Sequence, residues 1–299
     1  MNKNYKFKHI FSDLDGTLTD SINNRPWFDK NLIKKINELN NFNIGFSIAT
    51  GRHCKDVITL LNQNKITNID YIIGIAGAQI YDWKNKVFLW NKFFDDKQEK
   101  VFDQIYDYLK QNHHNQFSMI IYSHNDGIAD SMNLISDSQF FDENIGKWIH
   151  RMNTNTQYLD LYICRKLTYQ KIHKVGIKIH KDLENSEQIF EKIKQDLTNK
   201  FGEWFDFIKC STCYLEICMK QYTKGSAIEF LINEKIKLDY ENLICFGDSD
   251  NDLAMFELIK NSVTRNSSPQ EIKNKAKYVI DAKPSTFVLD GINDIVLNK

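Results

Sequence analysis

The chain has 299 residues, enough for one large domain or two ordinary ones, and its 42% hydrophobic content is compatible with well-formed cores. Thirty-nine basic residues balance 39 acidic ones, so no global charge favours nucleic acid or an anionic membrane as a partner. No run approaches the ~20 apolar residues of a membrane-spanning helix, and Lys3, Lys6 and Lys8 interrupt any signal-peptide core; the cytoplasm is the simplest compartment to expect.

The first predicted element is a short buried strand over 9–12, which runs into Asp13-Leu14-Asp15-Gly16-Thr17. In an extended segment residues i and i+2 point to one face. Asp13 and Asp15 are therefore candidates to share a pocket at the strand's end, and Gly16 lets the backbone turn away. A helix is predicted over 28–40, with Leu32, Ile33, Ile36 and Leu39 on one stripe. A second strand, 44–49, leads into Thr50-Gly51-Arg52 and a helix over 53–63. A hydroxyl and backbone N–H groups at a helix start suit phosphate, although Thr is also an ordinary N-cap. A third strand follows at 71–75. Short strands alternating with helices imply right-handed crossovers and a parallel sheet.

From about residue 83 the alternation loosens. Strand-like runs at 87–90, 117–122, 158–164, 175–179 and 214–218 surround helical runs at 97–111, 143–151 and 186–199. This pattern predicts a separate α+β domain, 83–219, inserted into a core made of 1–82 and 220–299. Its polar candidates for substrate contact are Tyr122, His124, Asp126-Gly127 and the pair His113-His114. Cys210 and Cys213 have C-x-x-C spacing, but no second pair accompanies them, and the six cysteines of the chain form no disulfide framework. They read as incidental thiols.

The βα pattern then resumes: helices over 224–234, 250–259 and 269–275, and strands over 243–246, 261–264 and 278–280. Lys224 and Gly225 open the first of these helices. An ammonium there opposes the macrodipole, a conflict that a bound phosphate would relieve; on position alone a solvated lysine is the simpler reading. Gly247-Asp248-Ser249-Asp250-Asn251-Asp252 crowds three carboxylates into one turn. That much charge calls for a cation or hydrogen-bond donors, with Asp250 a possible helix cap. An EF-hand is excluded, because the Gly at loop position 6 and the Glu at position 12 are missing.

Asp13, Thr50 and Asp248 each follow a predicted strand, where open parallel sheets bind ligands. Carboxylates at such a place suit Mg²⁺, which takes one or two of them together with waters and substrate phosphate oxygens. Asp13 and Asp248 are the natural pair. A metal there screens carboxylate from phosphate and polarises the phosphoryl group. One carboxylate can then attack phosphorus, while a second protonates the leaving oxygen and later deprotonates water. Asp13 and Asp15 are placed for that division of work.

In motif order and spacing the chain resembles the haloacid dehalogenase (HAD) superfamily, and within it the Cof-type phosphatases with a large α/β cap, over nearly its whole length. The residues that carry this are D-x-D-G-T at 13–17, A-T-G-R at 49–52, K-G at 224–225 and G-D-x-x-N-D at 247–252. The resemblance implies an α/β fold: a Rossmann-like core with a parallel sheet and an inserted α+β cap that covers the site. It makes Asp13 the nucleophile. Asp15 becomes the general acid/base, its carbonyl also on Mg²⁺. Thr50, Gly51, Lys224 and Asn251 become phosphate-binding, Asp248 a metal ligand, and Asp252 and Arg52 supporting groups. Asp15 also sets the chain apart from dehalogenases and P-type ATPases, which lack this second Asp. Two departures stand out: Ala76-Gly77-Ala78 replaces N-G-A, and Ser262-Val263-Thr264-Arg265-Asn266 replaces a run of small residues. The implied function is Mg²⁺-dependent hydrolysis of small phosphorylated metabolites, sugar phosphates or phosphorylated cofactors, through an aspartyl-phosphate. Alternatives are a phosphomutase, a dedicated sugar-phosphate phosphatase, or a non-catalytic metabolite-binding regulator on the same fold. The expected partner is a small phosphorylated metabolite rather than nucleic acid or membrane, and a monomer is a plausible state.

Overall fold

A computed structural model describes residues 5–22, 25–113, 116–125, 128–136, 171–179, 183–211 and 213–298. The chain forms two compact units, one of residues 1–91 with 222–299 and one of residues 92–221. The helix predicted over 143–151 and the strand over 158–164 lie outside the described residues.

The first unit begins with β1 (His9–Ser12), buried at every residue. A small antiparallel hairpin follows, β2 (Asp20–Ile22) and β3 (Arg25–Trp27). Helix α1 (Lys30–Glu38) starts where the Asp29 carboxylate accepts the backbone N–H groups of Asn31 and Leu32, satisfying two of the donors that a helix start leaves open. Then come β4 (Gly45–Ala49), α2 (Cys54–Gln63), β5 (Tyr71–Gly74), β6 (Gln79–Asp82) and β7 (Val87–Asn91).

The second unit starts with α3 (Asp96–Asn112), opened by a reciprocal cap between Asp95 and Gln98. It continues through β8 (Phe117–Asn125), β9 (Ile128–Ser136), β10 (Lys171–Ile179), α4 (Ser186–Phe201), β11 (Phe205–Ser211) and β12 (Tyr214–Met219). Its five strands form one antiparallel sheet in the order β11-β12-β10-β8-β9. Helix α4 packs on β10 and β11, where Phe190, Ile193 and Leu197 are buried on the helix side.

The chain returns to the first unit with α5 (Lys224–Leu231), β13 (Leu243–Phe246), α6 (Leu253–Leu258), β14 (Ser262–Arg265), α7 (Gln270–Lys275), β15 (Tyr278–Ile280) and α8 (Pro284–Gly291). The eight-stranded sheet runs β15-β14-β13-β1-β4-β5-β6-β7. Its first six strands are parallel, and β6 and β7 are antiparallel additions at one edge. Two buried apolar clusters lie on the sheet's two faces. One includes Leu32 and Ile36 of α1, Val57 and Leu61 of α2, and Phe287 and Val288 of α8. The other includes Ala227, Ile228 and Leu231 of α5, Met255 and Phe256 of α6, and Ile272 of α7. A sheet covered on both faces explains why its central strands read as unbroken apolar runs rather than alternating ones. This is the expected α/β architecture, with a parallel core sheet and a separate α+β unit.

One predicted strand belongs elsewhere than expected. The run at 87–90, expected in the inserted domain, is β7 and pairs with β6 at the edge of the large sheet. Apolar content marks a strand but not the sheet it joins, and Gln79–Asp82, its hairpin partner, is too short to announce itself. Strands β2, β3, β6, β9 and β11 and helix α8 were not foreseen.

Candidate active site

The strand order reverses at β1. The chain steps outward through β4 and β5 on one side and through β13, β14 and β15 on the other. Ligands bind beyond the carboxyl ends of strands at such a switch point. The loops after β1, β4 and β13 carry the three carboxylate and hydroxyl motifs, so topology alone gathers Asp13, Thr50 and Asp248 at one end of one sheet.

Asp13 follows β1 directly. Its backbone N–H donates to the carbonyl of Phe246, 2.9 Å away, which extends the β1–β13 ladder by one rung and fixes the carboxylate's base. The residue is 4% exposed. Lys224, which opens α5, is wholly buried and points its ammonium into the same place. Its Nζ donates to Asp13 Oδ1 at 2.6 Å, Asp252 Oδ1 at 2.7 Å and Asn251 Oδ1 at 3.2 Å. The solvated-lysine reading is thereby replaced: all three donors of the ammonium are used. Burial alone would pull the lysine down, but Asp13 and Asp252 outweigh it and hold its pKa above the usual range. Burial pushes the Asp13 carboxyl up against the opposing Lys224 charge, and Asp252 and Asp248 add to the rise.

Asp252 is the clamp of this network. Its other oxygen accepts the backbone N–H groups of Asp248 at 2.8 Å and Ser249 at 3.1 Å. Ser249 in turn donates its hydroxyl to Asn251 Oδ1 at 3.0 Å. Asp248 accepts the Thr17 hydroxyl on Oδ1 at 2.8 Å and Arg265 Nη2 on Oδ2 at 2.9 Å. Burial and Asp252 raise its pKa against the pull of Thr17 and Arg265. Gly16, at φ +86°, passes so close to Asp248 that a Cβ there would lie 2.9 Å from Oδ2. Glycine is needed here both for the left-handed turn and for the approach.

Asp15 is different. The strand-face argument brings it to the same strand end, but its carboxylate is 47% exposed and forms a bidentate pair with Arg52, Nε–Oδ2 2.7 Å and Nη2–Oδ1 2.5 Å. Thr50 is buried after β4. Its backbone N–H donates to Ile73 and its carbonyl accepts from Ala76, while its hydroxyl accepts the Arg52 N–H at 3.2 Å. Gly51 lies half-buried between them. The loop after β5 that locks this turn carries three successive left-handed residues, Ile75 (φ 49°), Ala76 (φ 54°) and Gly77 (φ 119°). Two of them are not glycine, a strained arrangement that clusters at functional sites. Ala76 stands where the resembling family has Asn, a residue more at ease in this conformation.

Asp13, Asp248 and Asp252 each offer an oxygen such that the three atoms lie within 4.8 Å of one another. Hard oxygen donors at this spacing fit a small divalent cation. Asp252 already serves Lys224 and two backbone N–H groups, which leaves Asp13 and Asp248 as the carboxylates suited to ligation.

In the second unit Tyr122 is buried and its hydroxyl meets that of Tyr214 at 3.0 Å, beside a buried Lys174–Glu216 pair at 2.5 Å. His113 is buried at the end of α3 with Nδ1 on Gln116. The side chain of His124, and His114, Asp126 and Gly127 altogether, lie outside what is described. Burial and Glu216 push the Cys210 thiol well up, which suits an inert cysteine.

Doubly wound sheet, switch point and acidic cluster together define a Rossmann-like fold with a candidate ligand site beyond its central strands. A family model for haloacid dehalogenase-like hydrolases matches residues 10–292, and the chain belongs to that family, as a Cof-type member and a phosphatase. A candidate phosphatase of Mycoplasma pneumoniae is 26% identical over 289 residues, 95% of this chain and 94% of its own. Among solved structures, a Streptococcus mutans protein superposes with TM-score 0.79 at 20% identity, covering 98% of this chain and 100% of its own. A sugar phosphatase of HAD subclass IIB gives TM-score 0.71 at 16% identity over 96% of this chain and 100% of its own. Among the described residues no helix is long and apolar enough to cross a membrane.

Proposed function

We propose that the chain is a Mg²⁺-dependent phosphatase of small phosphorylated metabolites, sugar phosphates or phosphorylated cofactors, working through an aspartyl-phosphate on Asp13. The observation that carries this is the buried Asp13 carboxylate held by the Lys224 ammonium at 2.6 Å beside Asp248. One Asp13 oxygen is fixed by the lysine, and the carboxylate is dehydrated and aimed by the β1–β13 ladder. Its attack on phosphorus forms the acyl phosphate as the P–O bond to the leaving group breaks. Asp15 gives its proton to the departing alkoxide, then takes one from water, whose oxygen attacks phosphorus and releases inorganic phosphate with Asp13 restored. For this Asp15 leaves Arg52, and Arg52 becomes available to the substrate's anionic groups. Thr50, Gly51, Lys224 and Asn251 hold the transferring phosphoryl group. Asp13, the Asp15 carbonyl and Asp248 hold the cation, which supplies charge neutralisation between carboxylate and phosphate. The sugar phosphatase among the structural neighbours agrees with this substrate class.

The test is phosphate release from a panel of sugar phosphates, phosphorylated cofactors and p-nitrophenyl phosphate, with Mg²⁺ or with excess EDTA, for wild type and Asp13→Asn. Release by wild type alone, abolished by EDTA and restored by Mg²⁺, is expected. Turnover by Asp13→Asn near the wild-type rate, or insensitivity to EDTA, overturns the reading. A product isomer instead of free phosphate makes the protein a mutase.

A further inference from the structure

Arg265 stands at the end of β14, the neighbour of β13, and reaches across to the loop that follows β13. Its Nη2 lies 2.9 Å from Asp248 Oδ2 and its Nη1 2.8 Å from the Ser267 hydroxyl. Its buried Nε meets no acceptor among the described residues. The side chains of the pair are only 12% and 16% exposed, so solvent screens the contact little. A guanidinium keeps its charge at any relevant pH.

Of the three carboxylates that converge, Asp13, Asp248 and Asp252, the first and last already share the Lys224 charge. Arg265 adds a second fixed positive charge on the one carboxylate that Lys224 leaves alone. A carboxylate has about four lone-pair positions. Thr17 and Arg265 take two on Asp248, so ligation of a cation there is geometrically open while electrostatically opposed. The affinity of an oxygen-ligand site follows the net charge of its ligands.

We propose that Arg265 sets the metal affinity of the site: it stands in for the cation on Asp248 when the site is empty of metal and weakens divalent binding when metal arrives. The inference rests on the metal-binding part of the reading above. Its function is to keep exchange possible in a pocket whose buried carboxylates would otherwise trap the ion. Arg265 acts through Asp248 and is a positioning residue.

The experiment is calorimetric titration of Mg²⁺, and separately Mn²⁺, into metal-free wild type, Arg265→Met, Arg265→Gln, Arg265→Lys and Asp248→Asn, with a thermal melt of each protein before and after metal. A unit and a double charge ~5 Å apart repel enough, even at the dielectric of water, to shift affinity about tenfold. Arg265→Met and Arg265→Gln are expected to bind Mg²⁺ about tenfold tighter than wild type, and to melt lower without metal but gain more on its addition. Arg265→Lys keeps the charge and is expected to bind as wild type does. Equal or weaker binding by the folded neutral variants, while wild type binds and Asp248→Asn does not, overturns the role of Arg265 and leaves the phosphatase reading standing. Binding by neither wild type nor any Arg265 variant overturns both. Two neutral variants of different shape keep the outcome readable if one fails to fold.

Discussion

Replacing Lys224 by Met, which is similar in length and carries no charge, tests the central network directly. The lysine side chain is 0% exposed and its two ionic partners, Asp13 and Asp252, are 5% and 0% exposed. Removing one member of a buried ion pair costs about 3–5 kcal/mol, because a charge is left without a partner in low dielectric. The burden falls unequally. Asp252 keeps two backbone N–H donors, while the Asp13 oxygen that faced the lysine loses its donor. Asp13 then has one route to relief, protonation, and its carboxyl, already raised by burial, rises further. A raised carboxyl binds more protons folded than unfolded, so it adds stability at low pH that is lost as pH climbs from the unfolded value of about 3.9 to the folded one, at about 1.4 kcal/mol per unit. Lys224→Met is therefore expected to fall well short of wild type in urea denaturation at pH 8 and to approach it at pH 5. Adding Asp13→Asn should recover much of the loss, since the amide needs no counter-charge. A Lys224→Met protein as stable as wild type at pH 8, or a double variant no better than the single one, would refute the claim that the buried ammonium neutralises Asp13.

The remaining expectations are shorter. Arg52→Ala removes a pair whose carboxylate is half exposed, so urea denaturation should show a loss of no more than about 1 kcal/mol, even where phosphate release collapses; a loss as large as that of Lys224→Met contradicts the contrast between the two pairs. Gly77→Ala should destabilise more than Gly16→Ala in thermal melts, because its Cβ would lie 2.2 Å from the backbone oxygen of Thr223, the cap of α5, whereas that of Gly16 meets a carboxylate oxygen at 2.9 Å. His9 is buried on the sheet with Nε2 2.9 Å from the Ser47 hydroxyl, and burial lowers its pKa to about 3. The unfolded chain binds the proton first, so His9 makes stability fall by about 1.4 kcal/mol for each unit of pH below about 6.5; NMR titration showing the His9 ring protonated at pH 6 in the folded protein contradicts this.

Much of the core fold was legible because its parallel strands are doubly covered and its motifs sit at their ends. Asp13, Thr50 and Asp248 were each found from the strand that precedes them. Lys224 could not be placed the same way: its position suggested solvent, and its burial is decided by Asp13, 211 positions away in the chain. The same limit hid the clamp role of Asp252, which depends on two backbone N–H groups turning toward its carboxylate. Val87–Asn91 reads as a strand in any sheet, and only its partner Gln79–Asp82 assigns it to the large one. Ile75 and Ala76 carry no sequence signal for a left-handed backbone; their conformation is imposed by the Thr50–Arg52 turn, whose carbonyls they bond. Arg265 was visible as a bulky departure from a small-residue run, but its contact with Asp248 required the β13–β14 pairing.

Asp13 and Asp15, two residues apart, end in opposite environments, and the cause is local. Leu14 between them is wholly buried and anchors the turn in the apolar cluster below, while Gly16 bends the backbone at φ +86°. The first carboxylate is left facing inward under β13 and the second outward toward Arg52. On the proposed roles this asymmetry is what the chemistry needs. A nucleophile gains from dehydration, since water on its oxygens must leave before attack, and Lys224 replaces that water with a fixed charge. A group that gives a proton to the leaving oxygen and then takes one from water must be reached first by the one and then by the other in every turnover. That calls for exposure, and it calls for a partner that can be released: the half-buried Arg52 guanidinium holds a carboxylate that is itself 47% exposed, so the pair is screened by solvent and adds little to stability. Exchanging the two environments, by burying Asp15 or solvating Asp13, would impair both steps even though every functional group was retained.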